Sequence, residues 1–185
     1  SLTERLDKCQ KSLSDYLDTK RDAFPRFYFI SDDELLSILG NSDPTSVQQH
    51  LLKMFANCKK FHFGRHNKTI EGMTSSEGES YTFINNSIVE GAVESWLTAA
   101  EAAMYENLRL IMKKGVFMYA KMDRIKWVDE QIGMVTLAGS QTWWTWETED
   151  AFRKVADGEK HGVKNLLAQL NDEVNALIKK MVDKN

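Results

Sequence analysis

Apolar residues recur in changing rhythms along this chain, and each change of rhythm marks a new segment. Leu6, Cys9, Leu13, Tyr16 and Leu17 fall three and four residues apart with charges between them, which predicts an amphipathic helix from about Leu2 to Lys20. Pro25 ends that helix, because its ring disfavours helical geometry at Phe24. The next run, Phe24 to Gly40, is the densest in the chain. Phe24, Phe27, Tyr28, Phe29 and Ile30 crowd around Pro25 as an extended aromatic segment, then Ser31 and Glu34 write a capping box for a short helix. Leu35, Leu36, Ile38 and Leu39 give that helix its apolar face, and Gly40 suits the left-handed position that commonly ends a helix. Asp43 followed by Pro44 is a second strong helix start, with Val47, Leu51, Leu52, Met54 and Phe55 as the apolar face of a third helix.

At Lys59 the period shortens to two. Phe61 and Phe63 alternate with polar residues, and Gly64, Asn67, Gly72 and Ser75 to Gly78 supply turns between short strands that include Tyr81 and Phe83. A small antiparallel hairpin or three-stranded meander is therefore expected near residues 59–84, too small to stand without helices against it. From Ile88 the helical period returns. Val89, Val93, Trp96, Ala100, Met104, Leu108 and Ile111 form a long stripe ending near Gly115. A second stripe runs through Ile125, Val128, Ile132, Val135, Gly139, Thr142 and Trp146, with Gly133 and Gly139 read as places where a neighbouring backbone comes close. Asp157, Gly158 and Gly162 mark a loop, and Val163 to Met181 give a last amphipathic helix. The pattern predicts a mainly α chain, an elongated helical bundle with the small β element inserted. Its regions are 1–57 with the aromatic joint, 58–87 with the hairpin, and 88–185 with long helices, together one fragment of 185 residues.

Composition narrows what such a bundle does. A net charge of −3, from 24 basic and 27 acidic residues, gives no global electrostatic reason to expect nucleic acid or an anionic membrane. No apolar run is long enough to span a bilayer. Cys9 and Cys58 are too few for a disulfide framework, which suggests a reducing compartment. The sequons at Asn67 and Asn85 have no secretory signal beside them, and the start at Ser1 suggests a piece of a longer protein. No phosphate-cradling loop or dinucleotide fingerprint occurs, so no ATP site, catalytic group or cofactor is expected in this stretch.

Cys58, His62 and His66 are ligand types at four-residue spacing, but on a strand successive positions lie about 13 Å apart, which disfavours one shared ion. Asp32, Asp33 and Glu34 are explained by the helix dipole. Trp143, Trp144 and Trp146 cannot share one helical face, so part of that group is expected at a surface that meets a partner.

These residues together resemble the C-terminal part of the linker region of dynein heavy chains, and more those of axonemal (ciliary or flagellar) dyneins than the cytoplasmic one. The resemblance is carried by Leu13 to Leu17 leading into Lys20-Arg21, by Phe24-Pro25-Arg26-Phe27-Tyr28-Phe29, and by Ser31 to Leu36. Ile38-Leu39-Gly40, Asp43-Pro44, His50-Leu51 and Lys53-Met54-Phe55 extend it, Gly72, Ser75 and Glu77-Gly78-Glu79 match the family's hairpin, and Trp96-Leu97, Trp127 and Trp143-Trp144 fit its later helices, with the match looser after Gly115. It implies a non-catalytic mechanical lever of a microtubule motor, moving over the AAA+ ring of its own heavy chain. In that reading, ATP hydrolysis and microtubule contact belong to other parts of the parent, and the setting is the cytoplasm of a cilium or flagellum. Phe24, Pro25, Arg26, Phe27, Tyr28 and Phe29 are then the structural joint of the lever. Trp143, Trp144, Phe61 and Phe63 are candidate contacts with the ring. The alternative is a free-standing helical scaffold or adaptor that binds a protein partner through its aromatic patches.

Overall fold

The capping box at Ser31 forms as written. In the computed structural model, which describes residues 2–183, the Ser31 hydroxyl accepts from the Glu34 backbone N–H and the Ser31 backbone N–H donates to Glu34 Oε2 at 3.0 Å. It starts helix α2, Asp32–Gly40, after helix α1, Leu2–Ala23. Between them Pro25–Phe29 winds as a 3-10 helix rather than extending, since proline's fixed φ suits a first helical position once Phe24 has turned out of α1. Gly40 does not take the left-handed conformation expected of it. It stays inside α2, and the helix ends through extended Asn41, whose N–H donates to Ile38 O at 3.3 Å.

The helix expected after Pro44 is likewise tighter than the spacing suggests. A 3-10 turn over Pro44–His50, capped by Asp43, precedes a single α turn, α3 over Leu51–Met54. The meander has three antiparallel strands in chain order, β1 Lys60–Phe63, β2 Thr69–Thr74 and β3 Ser80–Ile88. Its register shifts between His62 and Phe63 and between Ile70 and Gly72. At Gly72 a Cβ would collide with the Tyr81 carbonyl oxygen across the strand pair, so only glycine fits the pairing. The long helix α4 is Val93–Tyr119, and the stripe after it is two helices rather than one, α5 Arg124–Glu130 and α6 Gly133–Ala156. Gln131 and Ile132 are extended and interrupt it. Helix α7, Gly162–Asp183, follows a loop in which Gly158 takes φ +107°.

The chain divides into two compact units, Ser1–Asn107 and Leu108–Asn185, with the boundary inside α4. In the first unit Leu17, Phe24, Phe27, Leu35, Ile38 and Leu51 are buried together with Phe61 and Ile70 of the sheet and Leu97 of α4. Only Leu17 of α1 joins this core. Leu6, Leu13 and Tyr16, on the predicted apolar stripe, are exposed, as is Leu2. Asn107 closes the sheet edge, because its amide accepts from the Ile84 N–H at 2.6 Å and donates to Asn85 O at 3.0 Å. In the second unit Trp127 is fully buried, and its indole N–H donates to Gly115 O at 2.8 Å. Gly139 is small for the sake of this ring: a Cβ there would lie 2.9 Å from Trp127, so the close approach is to a side chain and not to a backbone. Among the described residues no helix is long and apolar enough to cross a membrane.

Candidate functional site

The segment after α1 builds its site from ring contacts outward. Phe24 and Phe27 meet edge to face at 5.0 Å between centroids, and Phe24 also touches Phe55 at 6.2 Å. Phe55 continues to Phe61 at 5.7 Å, Phe61 to Phe63 at 6.4 Å, and Phe63 to Trp96 at 6.5 Å. Six rings thus run unbroken from the joint through the meander to α4. Such edge-to-face pairs add roughly 0.5–1.5 kcal/mol each beyond their buried area.

Polar groups lock the same elements together. Arg26 places Nε and Nη2 on Glu101 Oε1 at 2.8 and 2.6 Å, donates from Nη1 to Met54 O at 2.9 Å, and lays its guanidinium 5.1 Å from the Phe55 centroid. One side chain therefore ties the joint to α3 and α4. One α-helical turn pair before Glu101, Glu94 accepts from Lys20 Nζ at 2.5 Å, and that bond raises the ammonium's pKa against the opposing effect of burial. A carboxylate at each end of a seven-residue step on α4 thus holds α1 and the joint to one helical face. On the outer side Glu34 binds Lys53 Nζ at 2.6 Å as well as Ser31, and its carboxyl is lowered to about 2, first by the Lys53 bond.

Three of the six expected joint residues lie at the surface, against what the aromatic density suggests. Phe24 and Phe27 are buried and Arg26 is the polar anchor, but Pro25, Tyr28 and Phe29 face out, with Tyr28 60% and Phe29 66% exposed. Tyr28 instead receives the Arg21 guanidinium 5.8 Å from its ring. Of the expected ring contacts, Phe61 is wholly buried and Phe63 half-buried, so in this conformation they are core. Cys58, His62 and His66 do not converge: Cys58 lies in the core with its thiol pushed up to about 12 by burial, while His62 Nε2 pairs with Thr74 Oγ1 at 2.6 Å. His66 is an exposed turn residue at φ +57°. Lys20, Glu94, Glu101 and Phe55 were not singled out as site residues from the sequence. The seven-residue interval between Glu94 and Glu101 is the signal that places them on one face.

In the second unit the tryptophans divide as the helical period requires. Trp143 is half-buried, stacked on Tyr119 at 5.1 Å, with its indole N–H donating to Val116 O at 2.8 Å. Trp144 and Trp146 are 55% and 52% exposed. Arg124 lies 4.7 Å from the Trp127 ring and 5.2 Å from Tyr119, and donates to Ser140 Oγ at 2.6 Å. With Glu147 and Glu173 it borders an apolar recess of about 370 Å³ that also includes Trp144, Leu170 and Leu177. Burial and the neighbouring Glu173 raise the Glu147 carboxyl above its usual range.

Among the described residues no three metal-ligating side chains gather, and rings and polar contacts brace the segment after α1 against α3 and α4. Comparison with known proteins gives a family match. The family described as "Dynein heavy chain, N-terminal region 2" matches residues 1–115. The chain is 63% identical over 177 residues to the "Dynein-1-alpha heavy chain, flagellar inner arm I1 complex" of Chlamydomonas reinhardtii, spanning 96% of this chain and 4% of that protein. It is 47% identical over 182 residues to human "Dynein axonemal heavy chain 10" (96% and 4%), and 36% identical over 182 residues to "Dynein beta chain, ciliary" of Tripneustes gratilla (95% and 4%). It therefore spans only about 4% of the length of these relatives. With the family match extending over more than half of its residues, the braced joint included, the chain belongs to the dynein heavy chain N-terminal region family.

Proposed function

We propose that this chain is the C-terminal part of the linker of an axonemal dynein heavy chain, a non-catalytic lever in the axoneme of a cilium or flagellum. In this reading it moves over the AAA+ ring of its own heavy chain and turns ATP-driven changes there into displacement. ATP is hydrolysed, and the microtubule gripped, by parts of the heavy chain outside these residues. The observation that carries the reading is the braced joint: six rings in series from Phe27 to Trp96, flanked by Lys20–Glu94 and Arg26–Glu101. A close-packed interior transmits strain instead of absorbing it, so a load on α1 is carried to α4 without the angle between them relaxing. A lever depends on such stiffness. The flagellar, axonemal and ciliary names of its relatives support the location.

The test is Phe27→Ala in the whole heavy chain, with microtubule gliding and ATP turnover measured side by side. Gliding slows while ATP turnover persists, because the angle softens without any group of the ATP site being touched. A folded motor that glides at normal speed overturns the lever reading.

A further inference from the structure

The last turns of α4 carry an open groove of about 480 Å³ that the joint does not use. Met112, Val116, Phe117 and Ala120 line it together with Trp143 of α6, and Phe117 is 59% exposed. The charged side chains in its lining are Lys113 and Lys121, with no carboxylate among them. Lys113 and Phe117 are four residues apart in the last turns of α4 and Lys121 lies just beyond its end, and all three line the groove. The Lys121 ammonium lies 4.0 Å from the Phe117 centroid, and neither lysine forms an ion pair among the described residues. The recess beside Trp144 differs, since there Arg124 is offset by Glu147 and Glu173. This groove joins an apolar floor to positive charge with no carboxylate in its lining, on a chain whose net charge is −3.

We infer that this groove is a docking site for an acidic amphipathic helix from another segment of the same heavy chain. Its apolar side chains seat between Phe117 and Trp143, and its carboxylates meet Lys113 and Lys121. The charge pattern selects the chemistry, because a basic occupant would place like charges together at a cost of several kcal/mol. The size of the groove and the length of the relatives select the source. Seven residues line it, far fewer than the roughly 20–30 a side that a stable complex between separate proteins brings together. A tethered segment needs far less, since linkage replaces a bimolecular encounter by an effective concentration on the order of millimolar. Relatives of which this chain spans 4% hold ample polypeptide to supply it. The inference rests on the proposed linker reading only in placing the occupant in the same chain; the groove's chemistry stands without any movement of a lever.

The test replaces Phe117 by photoreactive p-benzoylphenylalanine in the full-length heavy chain, with the cross-linked peptides mapped by mass spectrometry. An exposed aromatic position tolerates this change, so the motor stays folded. The expected product is an intramolecular cross-link to an acid-rich helical segment. Lys113→Glu with Lys121→Glu lowers its yield about tenfold, and reversing the mapped carboxylates to lysine restores it. No cross-link in a folded motor, a cross-link to a segment without acidic residues, a cross-link to a separate polypeptide, or a yield indifferent to the charge reversal each overturn the inference. A charge-sensitive intramolecular cross-link in a motor whose gliding ignores Phe27→Ala removes the lever reading and leaves the groove assignment standing.

Discussion

In the first unit Phe24, Phe27 and Phe61 are at most 2% exposed, whereas in the second Phe117, Trp144 and Phe152 are each more than half exposed. Both units are helical and rich in aromatics, yet the first closes Phe24, Phe27, Phe55 and Phe61 into one core beside a meander while the second leaves many large apolar side chains exposed. The difference lies in what each has to pack against. The meander and the two 3-10 turns give the first unit surfaces in several directions, and a closed core results. In the second unit α6 and α7 lie against each other, and the apolar faces with Leu137, Leu167, Val174 and Ile178 are exposed. A helix pair can bury one stripe of each member and no more.

Breaking the core of each unit tests the contrast most severely. Phe27→Ala removes a fully buried ring and costs about 3–5 kcal/mol, with faster hydrogen exchange throughout the first unit's sheet and α2. Trp127→Ala costs about the same in the second unit, and hydrogen-exchange mass spectrometry of the heavy chain should show its effect confined to α5, α6 and the end of α4. If each substitution loosens both units equally, they are not separate. Arg26→Gln leaves Glu101 without its guanidinium and costs roughly 1.5–3 kcal/mol, again in the first unit, while Lys53→Gln on the solvent side of Glu34 changes little. Gly139→Ala presses a methyl into the Trp127 ring, at a cost of about 1–3 kcal/mol read as weaker protection of the second unit alone.

Acid separates the units by sign. Glu34 is lowered to about 2, so its contribution is present above its ordinary value of 4.5 and is lost as pH falls from there toward about 2. Glu147 is raised by burial and by Glu173, so its folded form holds the proton more firmly than the unfolded chain does. Its contribution to stability therefore grows as pH falls from neutral toward its ordinary value of 4.5. Mild acidification should tighten α6 and α7 before it loosens α2, as measured by exchange protection corrected for intrinsic rate. Glu147→Gln removes the first response and keeps the second. The smallest effect is expected at Leu137, which is 71% exposed: Leu137→Gln changes stability by less than about 0.5 kcal/mol, and a larger loss would mean that this face is already covered.

Local chemistry was enough to specify the order of elements, the capping box at Ser31 and Glu34, the cap at Asp43 and the meander after Lys59, because each depends on residues within a few positions of one another. The same locality misled at Gly40, where no long-range contact demanded a left-handed turn, and at Gln131 and Ile132, where an unbroken apolar stripe concealed a break between two helices. Only the tertiary structure decided which rings of the Phe24 to Phe29 run face the core, that Phe61 belongs with them rather than at the surface, and that Glu94 and Glu101 are the partners of Lys20 and Arg26. Those pairings join residues more than seventy positions apart. A side chain's period states which face it occupies; what that face meets depends on loop closure and packing, which no short stretch of the chain encodes.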